Sequence, residues 1–157
     1  MLKYGQQLHD EHHFVRYVPQ ARLLRDQNDV VVGALPSAFE LRPNEESLSG
    51  SWLEYFEGEF DAQVVACVQC NRRSDTLVVR KSSAFLVGNV RKIKEIGIQQ
   101  TAGRALRLVF SPSQNNVAHS SIQKLPRDDF ALFDLLAADG FPHLVMNASV
   151  PDEEALP

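Results

Sequence analysis

Short apolar runs separated by turn residues make up most of this chain, and helical spacing of apolar residues occurs in only a few longer segments. Short runs with alternating or β-branched residues predict strands, whereas helices need longer amphipathic stretches. Residues 105–110 form the clearest predicted strand, residues 13–18 alternate as a half-buried strand does, and the clearest helix follows Pro126. Strands and helices do not alternate strictly, which disfavours a doubly wound nucleotide-binding fold. We therefore predict a single α+β domain, with a mixed or mostly antiparallel sheet and about three helices packed on one face of it.

The remaining segments give more local predictions. Residues 22–34 contain two apolar runs around the turn residues Gln27-Asn28-Asp29, which predicts a β-hairpin whose second strand lies inside the sheet or is covered on both faces. Residues 51–56 favour a helix or helical turn, although a strand would place Trp52, Glu54 and Phe56 on one face. Residues 76–80 favour a strand and residues 119–124 an edge strand. Helices are expected at residues 59–71, at 90–96 after the cap Gly88-Asn89, and from Pro126 to Gly140.

We expect the core to contain Phe14, Val18, Leu23, Val31, Leu53, Phe56, Val64, Val79, Phe85, Val87, Ile93, Leu106, Leu108, Phe110, Phe130, Phe133 and Leu136.

Composition places the chain among ordinary soluble globular proteins. Its 157 residues are 44% hydrophobic and 23% charged, which suits one domain with a substantial core. No apolar stretch approaches about 18 residues, so we expect no transmembrane helix, and the N-terminal segment lacks the apolar region of a secretory signal. Two cysteines without a disulfide framework indicate a cytoplasmic location. We expect residues 1–150 to form the domain and residues 151–157 an acidic, disordered tail.

Charge is unevenly distributed along the chain. Residues 1–62 carry 5 Lys or Arg and 11 Asp or Glu, residues 63–127 carry 11 and 2, and residues 128–157 carry 0 and 7. The net charges of these blocks are therefore −6, +9 and −7, within a total of −4. Either the basic middle folds against the acidic ends and is neutralised by them, or part of it forms a positive surface that attracts an acidic partner.

The second interpretation gives the leading functional hypothesis, a non-enzymatic binding or accessory module. No complete catalytic motif is present, and a basic central segment could contact an acidic macromolecule. A protein is favoured over a nucleic acid, because the acidic flanks would repel a long polyanion. We expect no cofactor and no membrane contact. The predicted partner-binding residues are Arg72, Arg73, Arg80, Lys81, Arg91, Lys92 and Lys94.

The alternative is a small enzyme that acts on a phosphate-containing or nucleotide-like substrate. Its candidate catalytic residues are His13, Arg16, Glu54 and His119, which lie at strand ends or in loops, where sites are usually built. An imidazole, a guanidinium and a carboxylate in one cleft would bind phosphate and assist group transfer. Each residue also has an ordinary explanation, as an edge histidine, a salt-bridge partner or a solvated carboxylate. A cleft that collects these residues would favour the enzyme over the binding module.

A further group of residues suggests metal binding. Cys67 and Cys70 form the only Cys-x-x-Cys of the chain, and His9 and His12 lie in a histidine-rich N-terminal segment. Two thiolates and two imidazoles would suffice for tetrahedral zinc. A single Cys-x-x-Cys on a helix is more often one core thiol and one boundary thiol, however. We therefore expect no bound metal, reduced thiols, and burial of at least one of them.

Overall fold

The computed structural model describes residues 1–153. Their fold is built around a six-stranded sheet. Its helices are α1 (Phe60–Arg72), α2 (Val90–Gln100) and α3 (Phe130–Leu135), the last extended by a π-helical turn, Leu136–Gly140. Its strands are β1 (His13–Val18), β2 (Leu23–Arg25), β3 (Val31–Ala34), β4 (Leu48–Trp52), β5 (Ala84–Asn89), β6 (Arg107–Phe110), β7 (His119–Gln123) and β8 (His143–Met146). The main sheet has the order β6-β7-β4-β1-β5-β8 with every neighbouring pair antiparallel, and β2 and β3 form a separate hairpin. The predicted single α+β domain with a mostly antiparallel sheet is confirmed.

The first strand, β1, lies at the centre of the sheet. Successive side chains of a strand point to opposite faces of the sheet, so Phe14 and Arg16 lie on one face and Val15 on the other. β1 pairs with β5 along its whole length. It pairs with β4 at only two positions, Phe14 opposite Trp52 and Val15 opposite Ser51. Beyond Val15 the two strands separate, and an opening forms between them.

Helices cover both faces of the sheet. α2 and α3 pack on the face that carries Phe14, where Ile93 and Phe133 are completely buried. α1 packs on the opposite face, where Val64 and Cys67, three residues apart on one side of the helix, join Val15 in the core. The expectation that all helices share one face is therefore wrong, because α1 buries its own apolar stripe on the second face. No helix in residues 1–153 is both long and apolar enough to cross a membrane.

Capping side chains fix where α2 and α3 begin. The Asn89 side chain accepts a hydrogen bond from the backbone N–H of Lys92 at 3.1 Å, which confirms the predicted cap. Asp129 caps α3 in the same way, so this helix begins at Phe130 rather than near Pro126. Phe130, expected in the core, is 61% exposed, because α3 buries the residues that follow it instead. The other predicted core residues are buried or partly buried.

Several predicted strands differ from the structure. Residues 76–80 are irregular, because β5, the next strand along the chain, already has neighbours on both sides. β7 is an inner strand between β6 and β4 rather than an edge strand. The hairpin β2–β3 lies outside the main sheet, so Val30 and Val32 are exposed rather than covered. Sequence patterning does not predict β8, a short strand after Pro142 that occupies the edge beside β5.

The N-terminal segment covers one edge of the sheet. Residues 5–8 run beside β6 and exchange backbone hydrogen bonds with it, among them the N–H of Leu8 to the carbonyl of Leu108 at 2.9 Å. An uncovered edge strand would offer its free N–H and C=O groups to another chain. This segment therefore protects β6 from pairing with other chains.

Candidate functional site

A cleft opens at the end of the sheet where β1 and β4 separate. Its volume is about 620 Å³, within the range of pockets that hold small ligands, roughly 300–1,000 Å³. Part of its lining comes from residues 16–22 and 40–50, and the rest from the end of α1, the segment 74–80 and the loop before β7. We name it the Arg16 cleft, and its polar lining includes Arg16, Arg22, Arg42, Arg80, Asn71 and His119.

Arg16 is the most constrained charge in this cleft. Its Nε donates to the carbonyl of Ala38 at 3.1 Å and its Nη1 to the carbonyl of Ser49 at 2.8 Å. Ser49 pairs with Ser121 of β7, but β1 and β4 do not pair at this position, so Arg16 takes the place of a β1 backbone donor for the Ser49 carbonyl. Burial lowers the pKa of Arg16 to about 10, opposed by the Glu45 carboxylate, so the guanidinium stays charged at neutral pH. Two carbonyl contacts thus hold the side chain without neutralising its charge.

The cleft is positively charged. Four arginines and two glutamates line it: Arg16, Arg22, Arg42, Arg80, Glu40 and Glu45. Within residues 1–153, none of these arginines has a carboxylate oxygen within 4.0 Å. Glu45 is directed to the backbone, since its Oε1 accepts from the N–H of Arg42 at 2.8 Å. The cations of the cleft therefore outnumber its carboxylates and are not paired with them.

A network of polar side chains centred on Ser51 adjoins the cleft. The Ser51 hydroxyl accepts hydrogen bonds from the amide nitrogens of Asn71 at 3.2 Å and Asn116 at 3.0 Å. Asn71 is 7% exposed, and its amide nitrogen also donates to the carbonyl of Cys67 at 2.9 Å. Its amide oxygen accepts no hydrogen bond from any residue in the range 1–153. Asn71 therefore presents an unused acceptor at the wall of the cleft.

His119 contributes a ring with a defined tautomer. Its Nδ1 lies 2.9 Å from the carbonyl oxygen of Ser111 and 2.9 Å from the hydroxyl of the same residue. A carbonyl can only accept, so the neutral imidazole carries its proton on Nδ1 and leaves the lone pair on Nε2. Nε2 has no hydrogen-bond partner in the described part of the chain, and the residue lines the cleft. This nitrogen is therefore free to act as an acceptor or a base.

The structure brings two of the four candidate catalytic residues into the cleft and leaves the other two outside. Arg16 and His119 line it, whereas His13 and Glu54 pair with each other. The Nδ1 of His13 lies 2.7 Å from Oε2 of Glu54, and the backbone N–H of His13 donates to Oε1 at 2.7 Å. Glu54 therefore holds His13 in a separate pair.

Two of the three basic residues predicted on α2 are paired within the chain. The Lys94 ammonium lies 2.9 Å from a carboxylate oxygen of Asp10 and lowers the pKa of that carboxyl. Arg91 lies 3.3 Å from a carboxylate oxygen of Glu11. Lys92 is exposed and has no carboxylate within 4.0 Å in residues 1–153. Acidic residues of the N-terminal block therefore fold against this helix.

Arg72 and Arg73 hold the end of the described chain against α1. Arg72 donates four hydrogen bonds of 2.7 to 2.9 Å to residues 147–151. Arg73 pairs with the Glu153 carboxylate. The first residues of the predicted tail therefore contact the domain, whereas residues 154–157 lie outside the described residues.

The last two predicted partner contacts lie in the irregular segment between α1 and β5. Lys81 is exposed, and Arg80 lines the Arg16 cleft. Arg80 therefore connects the basic central segment of the sequence with the cleft.

The cysteine and histidine pairs considered as metal ligands do not come together. Cys67 and Cys70 are both buried in α1, and burial raises the pKa of the Cys67 thiol to about 12. His9 and His12 stack on each other with ring centroids 4.7 Å apart. Across residues 1–153, no group of three or more His, Cys, Asp or Glu side chains is arranged to hold a metal ion.

His12 makes the fold sensitive to pH. Its Nδ1 accepts a hydrogen bond from the indole N–H of Trp52, the single tryptophan, at 3.0 Å, which requires an unprotonated nitrogen. Burial lowers the pKa of His12 from its ordinary value of 6.5, while Glu54 raises it and His9 lowers it further. The unfolded chain therefore takes up this proton more readily than the folded one. The contribution to the free energy of unfolding is complete above pH about 6.5 and is lost as pH falls below it.

We expect His12→Gln to remove this part of the pH dependence, because glutamine accepts from the Trp52 indole but does not titrate. Urea unfolding followed by Trp52 fluorescence, between about pH 5 and pH 8, measures the difference between variant and parent. Identical pH dependence in the two proteins would show that the indole contact does not depend on the protonation of His12.

The Arg16 cleft thus offers a ligand unpaired guanidinium donors, the amide oxygen of Asn71 and the Nε2 lone pair of His119. Donors predominate and their charge is positive, so this chemistry suits an anionic ligand. In comparisons with known proteins, no family model, no curated protein and no solved structure matches the chain.

Proposed function

We propose that this chain is a non-enzymatic binding module whose Arg16 cleft takes up an acidic group of a macromolecular partner. A single observation carries the proposal. The partly buried guanidinium of Arg16 is fixed by two carbonyls and has no carboxylate within 4.0 Å among residues 1–153. Burying a charge is costly unless it is paired. An anion in the cleft would supply that pair to a group that is already oriented and partly desolvated.

The cleft is favoured over α2 as the contact surface. Arg91 and Lys94 already lie beside acidic residues of the N-terminal block, so a partner would have to replace those contacts. None of the arginines of the cleft has a carboxylate oxygen within 4.0 Å in residues 1–153. A protein is favoured over a nucleic acid, because the two glutamates of the lining would repel a long polyanion. We place the module in the cytoplasm, which its two free thiols support.

Binding of a labelled acidic peptide tests this proposal. The probe is a fluorescein-labelled peptide that contains aspartate, glutamate and phosphoserine, and fluorescence polarisation measures its Kd. We expect the double variant Arg42→Gln, Arg80→Gln to bind at least about tenfold more weakly, since it removes charge-assisted hydrogen bonds. Salt should also weaken binding, because Coulomb attraction is screened over about 10 Å at 0.1 M.

The matched control is the double variant Arg91→Gln, Lys94→Gln, which removes the same charge from α2. We expect it to bind the peptide like the parent and to lose little stability, because the Arg91–Glu11 pair is exposed and the Lys94–Asp10 pair is partly exposed. If this variant loses binding while the cleft variant keeps it, the partner contacts α2 and the proposal is wrong. Binding that is indifferent to salt contradicts it as well.

A second candidate function is a small enzyme that acts on a phosphate-containing substrate in the same cleft. The observation in its favour is His119, because the contact between its Nδ1 and Ser111 leaves Nε2 free to act as a base. Turnover of a phosphate ester that is lost in His119→Gln, with unchanged peptide affinity, would favour the enzyme.

A further inference from the structure

We propose that the acidic group bound in the Arg16 cleft is the dianion of a phosphate monoester, on a ligand that also carries an N–H or O–H donor. This inference rests on the proposed function and names the ligand chemistry of the same site. It depends on the free donors of Arg16, on the excess positive charge, and on the unused acceptor of Asn71.

The arginines offer more donors than a carboxylate can use. A guanidinium has five N–H groups, and Arg16 uses two of them on the carbonyls of Ala38 and Ser49, which leaves three. Arg22 is likewise held by a backbone carbonyl, that of Ser37. A phosphate monoester presents three terminal acceptor oxygens, whereas a carboxylate presents two. A planar guanidinium also matches two phosphate oxygens at once.

The charge of the cleft matches a dianion. Four arginines and two glutamates line it, so its charged side chains have a net charge of +2. A phosphate monoester carries about −1.5 to −2 at neutral pH, close to full compensation. A single carboxylate would neutralise only half of the excess and leave cations unpaired in partly buried surroundings.

Asn71 adds a requirement for a donor on the ligand. Its side chain is more than nine-tenths buried, and its amide oxygen accepts no hydrogen bond within residues 1–153. Arg16 and Asn71 both contact β4, the first at the backbone carbonyl of Ser49 and the second at the hydroxyl of Ser51. A ligand that binds both therefore carries an N–H or O–H donor as well as its phosphate. A phosphoserine has such donors in its backbone N–H groups, and a sugar phosphate has them in its hydroxyls.

Matched pairs of ligands test this chemistry by isothermal titration calorimetry on the full chain. The first pair is a phosphoserine peptide and the same peptide with glutamate in its place. We expect the phosphopeptide to bind at least about tenfold more tightly. The second pair is ribose 5-phosphate and methyl phosphate, which has no donor, and we expect methyl phosphate to bind at least about tenfold more weakly. Tighter binding of the phosphopeptide places the phosphate on a macromolecule, as the proposed function requires, whereas tighter binding of ribose 5-phosphate supports the phosphate chemistry but contradicts that function.

Variants show whether the arginines provide the selectivity. Arg16→Lys keeps the positive charge but removes the planar fork. We expect it to weaken binding of the phosphopeptide at least about tenfold and binding of the glutamate peptide less. Because Arg16 is partly buried, Arg42→Gln and Arg80→Gln repeat the test at exposed positions. Lys92→Gln, an exposed unpaired cation on α2, is the control that should leave both affinities unchanged.

The outcomes separate this inference from the proposed function. Equal affinity for the phosphoserine and glutamate peptides would overturn the inference and leave the proposed function standing. Equal affinity for methyl phosphate and ribose 5-phosphate would overturn the role given to Asn71. If no acidic ligand binds, the phosphopeptide included, both the inference and the proposed function are wrong.

Discussion

Gly50→Ala lowers the free energy of unfolding by about 3 kcal/mol, because β4 passes too close to β1 for a side chain at this position. A Cβ at Gly50 would lie 2.2 Å from Cζ of Phe14 and 2.6 Å from the carbonyl oxygen of Val15. The Phe14 ring is fully buried and the carbonyl belongs to a paired strand, so neither moves without disturbing the core. Urea denaturation measures the loss directly. We expect the Tm to fall by roughly 6–12 °C, at about 2–4 °C per kcal/mol for a chain of this size.

Gly33→Ala is the matched control, since it adds the same methyl group to β3. Nothing lies within 4 Å of a Cβ at Gly33, and its φ is not positive. We expect its effect on the free energy of unfolding to stay within about 0.5 kcal/mol. If Gly50→Ala costs no more than this control, Phe14 does not pack against β4 where the two strands begin to separate.

Arg72→Met is expected to cause the second large loss of stability, because Arg72 binds the last residues of the described chain. The guanidinium makes four hydrogen bonds to residues 147–151, three of them to backbone carbonyls. Methionine keeps an apolar stem of similar length but has no donors, so these acceptors lose their partners. We expect the free energy of unfolding to fall by about 2–4 kcal/mol. Limited proteolysis should cut the segment after residue 147 faster than in the parent.

Arg73→Met, one residue further on, is the control for this prediction. Within residues 1–153, Arg73 pairs with Glu153, and its side chain is 55% exposed. Exposed ion pairs contribute about 0–1 kcal/mol, so we expect little change in stability or in cleavage. Similar losses in the two variants would mean that the bonds of Arg72 contribute no more than a surface ion pair.

Sequence patterns predicted those elements that depend on contacts between near neighbours in the chain. The alternation in residues 13–18 and the cap at Asn89 can be recognised locally, and both are present as predicted. Residues 76–80 show the limit of such patterns. Their β-branched residues favour a strand, but β1 and β8 already occupy both sides of β5. The choice of strand neighbours depends on contacts between distant segments, which local propensity does not encode.

The candidate site was predictable only in part, because local position in the sequence indicates some of its residues and the fold alone brings in the others. Arg16 and His119 are polar residues in or at the end of strands, and that position pointed to both of them. Asn71 gave no such signal, because a polar residue near the end of a helix is usually solvated. The sequence assigns Arg80 to the basic segment, and only the fold shows that the chain brings it to the opening between β1 and β4.

β1 precedes the other strands of residues 1–153, yet its partners come from far along the chain. Its neighbours in the sheet, residues 48–52 and 84–89, lie on opposite sides of it. A nascent chain that ends before residue 84 therefore carries an apolar strand with an open edge, which favours association with other chains. Each pairing closes a long loop, and the entropy of that closure is lost before the strand contacts form. Folding is therefore slowed. β1 is therefore paired on both sides only after residues 84–89 have been synthesised.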